Sequence, residues 1–528
     1  MRKILKLFFN RYYTNGKRTI DILLYCWRKY IDWVYHISFG LFAFNIIMFI
    51  FRWRLPNWVF IFIFLFLFLP AVLFFYYVIL KKSRNKQNIF LLLASLFFYA
   101  WGEPAFVFIM ILSIIFNYYF GIQVNKYRDD KKKSRIVITV MLIFNLSLLF
   151  IFKYLMFTLS NINNLFRLNI TIPNIVLPIG ISFFTFQAIS YVIDVYRDNA
   201  KVQRNILYLG LYISFFPQLI AGPIVLHSEI MPQFDDKEKQ KLNWDNIASG
   251  IFMFSMGFFK KLVIADSFAI WATNGFDSIS SLTFYQAWFI SLSYTIQIYF
   301  DFSGYSDMAV GIGKIFNIDL PANFLSPYKA TSISEFWRRW HITLGRALST
   351  YVYKPLGGNR KGRVKTYINL LLTFLVSGLW HGAAWTFVFW GLLHGIASVI
   401  DRLFRDNNWK INKYVSWILT FMFVNCAWVF FRATTFERAF EILTAMFSVP
   451  SGDVLNMAGI ITNGSIIIIG LVYILLVISL VVTLSFKNTY ELAETFDYTT
   501  INTVYVVILM VVGISFMPRI SPFIYFNF

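Results

Sequence analysis

Five histidines are the side chains of this chain best suited to move a proton near neutral pH: His36, His227, His341, His381 and His394. His381 lies in Leu370-Leu-Leu-Thr-Phe-Leu-Val-Ser-Gly-Leu-Trp-His-Gly-Ala-Ala-Trp385, deep in an apolar run. An ionisable group there is expensive and is a functional hypothesis by default. Burial disfavours the charged imidazole, and a neutral imidazole is what a general base needs. Read as helix, the stretch puts Ser377 at i−4 and Trp385 at i+4 on the face of His381. Ser377 would orient one ring nitrogen. Gly378 and Gly382 would let another backbone or a substrate come close. The bland alternative is a packed histidine bonded to a neighbouring helix, and the residues alone leave both readings open.

His341 lies in Ser334-Glu-Phe-Trp-Arg-Arg-Trp-His-Ile-Thr-Leu-Gly-Arg346. Glu335 reaches Arg338 and Arg339 at i+3 and i+4, which predicts a helix with Trp337 and His341 on one face. The aromatic and basic mixture suits a membrane interface. It also suits a funnel for an anionic donor such as a phosphopantetheine thioester. The alternative is a helix that snorkels to headgroups. His394, thirteen residues after His381, falls near the opposite face of one continuous helix and reads as structural. His227 reads as a loop residue, and His36 as an interface residue.

Other candidates carry less. Leu356-Gly-Gly-Asn-Arg-Lys-Gly-Arg363 lacks the hydroxyl and the preceding strand of a nucleotide-binding loop, which leaves a basic turn that touches phosphates or headgroups. Asp301 and Asp307 bracket Phe302-Ser-Gly-Tyr-Ser306, six apart, and do not face each other on one helix. A paired-carboxylate hydrolase site is therefore weak. Asp301 is read as orienting a base or binding a polar acceptor, with a capping or packing carboxylate as the alternative. Cys26 and Cys426 have no ligand spacing, so neither a metal nor a disulfide framework is expected.

The elements that position these residues follow from composition. The chain has 528 residues, 58% hydrophobic and only 14% charged, against about 25% charged in soluble domains. Long apolar runs, such as Val59 to Leu80, match the roughly 20 residues that a bilayer span needs. The net charge of +22 sits in short segments between these runs, as cytoplasmic loops do. With no basic helix or aromatic-basic repeat, nucleic-acid binding is excluded, and anionic headgroups answer the charge. Residues 88–124 are apolar except at Trp101-Gly102-Glu103-Pro104, which predicts a helical hairpin. The basic loops Lys81, Lys82, Arg84, Lys86 and Lys126–Arg135 flank it on the cytoplasmic side; Arg52 and Arg54 fit that side poorly.

Pro178 with Gly180, and Pro217 with Gly222 and Pro223, interrupt further runs. Broken backbone at membrane depth survives only where protein or a watery cavity satisfies it. The predicted class is all-α: a polytopic membrane protein with about 11–14 embedded helices, including re-entrant segments around a central chamber. Residues 1–38 read as a basic amphipathic extension or a cytoplasmic tail, 39–450 as the membrane core, and 451–528 as C-terminal transmembrane helices. No cleavage site follows the basic start, so no removed signal peptide is expected. No internal repeat supports an inverted-repeat transporter.

Taken together, these stretches resemble the membrane-bound O-acyltransferase family, most closely its bacterial branch of alginate O-acetylation proteins and peptidoglycan O-acetyltransferases. The resemblance is carried by Val176-Leu-Pro-Ile-Gly-Ile-Ser-Phe-Phe-Thr-Phe-Gln187, Phe215-Phe-Pro-Gln-Leu-Ile-Ala-Gly-Pro223 and Tyr299-Phe-Asp-Phe-Ser-Gly-Tyr-Ser-Asp307. It continues through Asn323-Phe-Leu-Ser-Pro-Tyr328, Phe336-Trp-Arg-Arg-Trp-His341 and Gly378-Leu-Trp-His-Gly382. It implies transfer of an acyl group from a cytoplasmic thioester, through a membrane-buried tunnel, to a hydroxyl on the other side. It puts the family's buried histidine at His381 and its second histidine at His341. Trp380, Ser377, Trp337, Arg338, Arg339 and Asp301 are the expected substrate- or donor-binding residues. No bound cofactor is expected; acetyl-CoA or a carrier-protein thioester is the donor. The resemblance further implies the bacterial cytoplasmic membrane, a polysaccharide acceptor and an extracytoplasmic esterase-like partner. D-alanyl transfer to teichoic acid and, outside enzymes, polysaccharide or lipid export are the alternatives.

Overall fold

Most helix boundaries coincide with a residue that caps or breaks the backbone. The computed structural model describes residues 57–519, apart from 221, 280, 458, 462–464 and 498, together with residue 521. The expected N-terminal extension with Cys26 and His36, the apolar run 39–51, and Arg52 and Arg54 lie outside the described residues.

Helix α1 (Trp58–Ile79) is followed by α2 (Arg84–Gly102) and α3 (Val107–Lys126), the expected hairpin. The break is where Gly102 ends α2 and Glu103 leaves helical geometry (φ −141°, ψ 71°) ahead of Pro104, because proline disfavours helix in the residue before it. Asp130 caps α4 (Lys131–Phe166) by accepting from the amides of Lys132 and Lys133. The basic loop before α2 is not uniformly solvated. Arg84 turns inward and holds the carbonyls of Gln233 and Phe234 at the end of α7 (His227–Asp235). Between them come α5 (Ile181–Tyr196) and α6 (Ile206–Ser214).

The centre is built by α8 (Trp244–Ser278) and α9 (Phe284–Ile315). Gly250 and Gly257 on α8 face Gly311 and Gly304 on α9, each within 2.7 Å of a partner carbonyl if given a Cβ. Only glycine permits that approach, as in other close helix crossings within membranes. The contact continues into adjacent lysines on a π-helical turn, Lys260–Ala265. Lys260 pairs with Asp307 at 2.7 Å, and Lys261 with Asp301 at 2.6 Å and Asp266 at 2.7 Å. Asp301 is therefore a structural counter-ion in the α8–α9 seam. A buried charge persists only when paired.

The second half comprises α10 (Ile333–Arg339), α11 (Ile342–Leu348), α12 (Arg363–His381), α13 (Trp385–Asp406), α14 (Lys413–Arg432) and α15 (Phe436–Met446). The last region adds α16 (Ile466–Ser485), α17 (Thr489–Glu494) and α18 (Thr500–Arg519). Thr489 of α17 bonds both Lys260 and Asp307, which ties this region to the core. Eight helices among the described residues are long and apolar enough to cross a membrane: α1, α3, α4, α8, α13, α14, α16 and α18. No strand occurs among the described residues. The all-α polytopic class is as expected, while α2, α5, α9 and α12 are shorter or less uniformly apolar.

Candidate active site

His381 is the last residue of α12. Gly382 leaves the helix in extended geometry (φ −163°, ψ 155°), and the chain reverses before α13. The expectation of one continuous helix through His381 and His394 is therefore corrected, and with it the shared face of His381 and Trp385. Trp385 opens α13, is 56% exposed, and donates its indole N–H to Asn161 on α4. The reversal has a steric cause. A Cβ on Gly382 would lie 2.2 Å from the Phe387 ring, and one on Gly378 2.3 Å from the Phe387 carbonyl oxygen. Both glycines thus admit the returning chain.

His381 is 2% exposed. Trp390 and Phe431 pack edge-on to its ring at 5.0 and 5.3 Å. The imidazole neither faces lipid nor sits in solid packing. It lines a small cavity of about 40 Å³ with Lys153, Trp380, the Leu177–Phe183 segment and Ile220. That volume holds a few waters or one small polar group. Its walls bring together the two breaks expected at membrane depth. Gly180, at φ +75°, would place a Cβ 3.1 Å from the Leu219 carbonyl, so the Pro178-Gly180 break rests on the end of the one-turn helix Phe216–Leu219. Ser377 is buried beneath, and its hydroxyl makes no hydrogen bond among the described residues. The expected orienting contact from Ser377 to the imidazole is absent.

His341 sits between α10 and α11 in the left-handed region, at φ 43°. A non-glycine residue held there costs about 1–3 kcal/mol and signals a constrained position. The expected helix therefore stops at Arg339, and Trp337 and His341 do not share its face. His341 is fully buried, with Phe302 edge-on at 4.7 Å. Its Nδ1 faces Asn323 Oδ1 at 3.2 Å. That oxygen also accepts from the amide and hydroxyl of Thr343. An oxygen surrounded by donors calls for a proton on Nδ1, which leaves Nε2 as the lone-pair nitrogen. Nε2 has no hydrogen-bond partner among the described residues.

His394 is the reverse case. Its Nδ1 accepts from the Trp337 indole at 3.2 Å, so its proton is on Nε2. Lys153 is a chargeable group beside His381, bonding its backbone carbonyl at 3.2 Å. His227 is buried against Tyr191 and Tyr212 at the start of α7 rather than in a loop.

A second cavity of about 500 Å³ runs along the first half of α12, lined by Thr366, Leu370, Thr373 and Phe374. Trp337, Arg338, Arg346, Arg402 and Arg405 line its other walls. Three of these arginines have acidic neighbours: Arg346 with Glu229, Arg402 with Asp406 and Arg405 with Asp401. Arg338 has no ion-pair partner among the described residues and is exposed. Arg339 points elsewhere and binds Glu335 and the Leu325 carbonyl. From Leu370 to His381 along α12 is about 16 Å at 1.5 Å per residue, so one helix borders both a basic cavity and the histidine.

Sequence reasoning missed Lys153, Asn323 and Trp390. Lys153 had a signal: a lone lysine in an otherwise apolar run. Among the described residues no group of histidine, cysteine and acids is placed to hold a metal.

The chain is similar to known proteins of one family. Residues 199–437 match the model of the membrane-bound O-acyltransferase family. The chain is 42% identical over 507 residues to a peptidoglycan O-acetyltransferase of Helicobacter pylori, an alignment covering 87% of this chain and 95% of the relative. It is 40% identical over 385 residues to a probable alginate O-acetylase of Azotobacter vinelandii, covering 72% and 76%. A teichoic acid D-alanyltransferase of Bacillus subtilis is more distant, at 26% over 252 residues, covering 46% and 63%. The chain belongs to the membrane-bound O-acyltransferase family and is a multi-pass membrane acyltransferase.

Proposed function

We propose that this protein takes an acetyl group from a thioester on the cytoplasmic side and delivers it to a hydroxyl of a cell-envelope polysaccharide. Peptidoglycan is the first acceptor to test, and an alginate-like polymer the second. The observation that carries this reading is the double use of α12. Its first half borders an arginine-lined cavity, which suits the phosphates of acetyl-CoA. Its last residue, His381, is buried and lines a small cavity of about 40 Å³. A carrier-protein thioester is the second donor, and Arg338 suits its phosphopantetheine equally.

His381 acts as general base on the acceptor hydroxyl. His341 assists from the donor side, with its ring set by Asn323 so that Nε2 accepts. The distance to the teichoic acid relative argues against D-alanyl transfer. The protein resides in the bacterial cytoplasmic membrane and passes the acetyl group either directly or through an extracytoplasmic esterase-like partner.

The test is glycan mass spectrometry in a deletion strain complemented with the wild-type gene or with His381→Ala. O-acetyl groups should vanish on deletion and return only with wild type. Normal O-acetylation by an abundant His381→Ala protein would remove His381 from the mechanism, and unchanged O-acetylation on deletion would refute the reading. Purified protein with acetyl-CoA and a soluble glycan then separates direct from relayed transfer.

A further inference from the structure

Helix α4 contains a π-helical turn, Phe150–Tyr154, beside the end of α12. Such turns shift the register of a helix and are frequent at functional sites. This one directs two successive side chains at one target. The Tyr154 hydroxyl donates to the Leu379 carbonyl at 2.8 Å. The Lys153 ammonium donates to the carbonyls of Trp380 at 2.6 Å and His381 at 3.2 Å. The last three residues of α12 are thus capped from α4, and the lysine complements the negative end of the helix.

Capping alone does not call for a charge, since Tyr154 caps with a neutral hydroxyl. A lysine at membrane depth is costly and marks function. An ammonium has three N–H donors. Two are used on these carbonyls, and Lys153 makes no other hydrogen bond among the described residues. Lys153 also lines the His381 cavity. The start of α5 lines it too. There the amides of Ile181, Phe183 and Phe184 bond to Pro178 or Gly180, whereas that of Ser182 has no acceptor among the described residues. The cavity therefore holds a base, a cation with a spare donor, and a free amide at a helix N-terminus.

We infer that Lys153, aided by the Ser182 amide, stabilises the oxyanion that forms on the acyl group beside His381. The inference rests on the acyl-transfer reading above. The acceptor oxygen bonds to the thioester carbonyl carbon, and its proton passes to His381. The carbonyl π pair moves onto oxygen, which accepts a hydrogen bond from Lys153. On collapse the carbon–sulfur bond breaks, and the thiol departs with the proton from His381. Fixed donors aimed at a developing oxyanion supply a large share of catalysis in acyl transfer.

Full-length Lys153→Met, Lys153→Arg and His381→Ala are purified in lipid nanodiscs and assayed with acetyl-CoA and a soluble glycan. If the donor pair is real, Lys153→Met lowers kcat by about 10²–10³-fold. KM for acetyl-CoA should stay within about threefold, because uniform binding is untouched. Lys153→Arg, which keeps a charged donor, should recover part of the loss. If Lys153→Met does not accumulate, Lys153→Gln is read in its place. A neutral variant with wild-type kcat overturns the inference. So does a loss that follows the melting temperature and is not rescued by arginine, because that outcome marks a cap only. Absence of acetyl transfer by the wild type would instead overturn the acyl-transfer reading, and an active His381→Ala the role given to His381, so the failures are distinct.

Discussion

Asn323 Oδ1 lies 3.2 Å from Nδ1 of His341, across eighteen residues that include the whole of α10. The same oxygen accepts from both donors of Thr343. Asn323 therefore fixes the ring tautomer rather than merely packing against it. Asn323→Leu removes the acceptor and frees the ring to turn. We expect kcat to fall by about 10- to 100-fold, the range for losing an outer partner that orients a working histidine. Asn323→Asp keeps an acceptor and should retain more activity than the leucine variant. The check is kcat for both proteins at matched melting temperature. Equal losses would argue that the residue serves folding alone.

Arg338 and Arg339 are adjacent in sequence and opposite in role. Arg338 lines the basic cavity and has no ion-pair partner among the described residues, while Arg339 holds Glu335 at 2.8 Å. Arg338→Ala should raise KM for acetyl-CoA about tenfold, the worth of one charge-assisted hydrogen bond to phosphate, with kcat retained. Arg339→Ala should leave KM nearly unchanged and lower the melting temperature. Steady-state kinetics at two salt concentrations checks this, since the Arg338 contribution should weaken as salt rises.

Glu335, outside the spanning helices, gives the same region an acid limit. Burial acts to raise its carboxyl, but hydrogen bonds from Thr331 and the charge of Arg339 outweigh it and hold the group below the usual range. A carboxylate lowered in the folded state contributes stability that is complete above its unfolded pKa and is lost as pH falls through the folded one. The support for α10 should therefore hold above about pH 4.3 and disappear below it. Melting temperatures from pH 6 to pH 3 should drop more steeply for wild type than for Glu335→Gln, which carries no titrating group there. Parallel curves would mean that Glu335 does not set the acid limit.

Much of this site is legible in the sequence. A histidine inside an apolar run, glycines beside it and two proline-glycine breaks pointed to an internal chamber, and His381 lines a small cavity with the Gly180 break. What failed depended on where helices stop. Gly382 caps the end of one helix and His341 precedes the next, yet neither is a proline; Gly382 admits the Phe387 ring as the chain reverses, and His341 meets Asn323, eighteen residues back. Partner choice was equally hidden. Asp301 reads as a polar residue near chemistry, but its partner Lys261 lies 40 residues upstream on α8. Lys153 was overlooked because its run is apolar enough to pass as a plain span.

The Lys260–Asp307 pair tests how such buried charges are held. Both side chains are nearly inaccessible, at 10% and 2%, and Thr489 bonds to each. Removing one partner leaves the other charge buried and uncompensated, which costs about 3–5 kcal/mol. Asp307→Asn or Lys260→Met should therefore reduce the folded fraction severely. Lys260→Met with Asp307→Leu removes both charges and should regain most of the loss, because similar-volume apolar pairs are often neutral. Monodispersity and melting temperature in detergent check the three proteins. A double variant as unstable as the singles would show that the pair, rather than charge balance, is required.

Gly378 supports the sharpest steric prediction. Its Cα lies 3.1 Å from the Cβ position of Gly391, and a Cβ on Gly378 would meet the Phe387 carbonyl oxygen at 2.3 Å. Both obstacles are backbone, so no side chain can swing away. Gly378→Ala must push α12 from α13 and carry His381, three residues on, out of its place between Trp390 and Phe431. Overpacking of this kind costs about 1–3 kcal/mol, and a displacement near 1 Å at the chemistry can cost about 100-fold in rate. Gly470→Ala is the comparison, because nothing lies within 4 Å of a Cβ there and it sits in the second turn of α16, where alanine is the better helix former. Gly378→Ala should lose acetyl transfer far beyond its loss of melting temperature, and Gly470→Ala should match or exceed wild type in stability. An active Gly378→Ala would mean that the α12–α13 crossing does not set the position of His381.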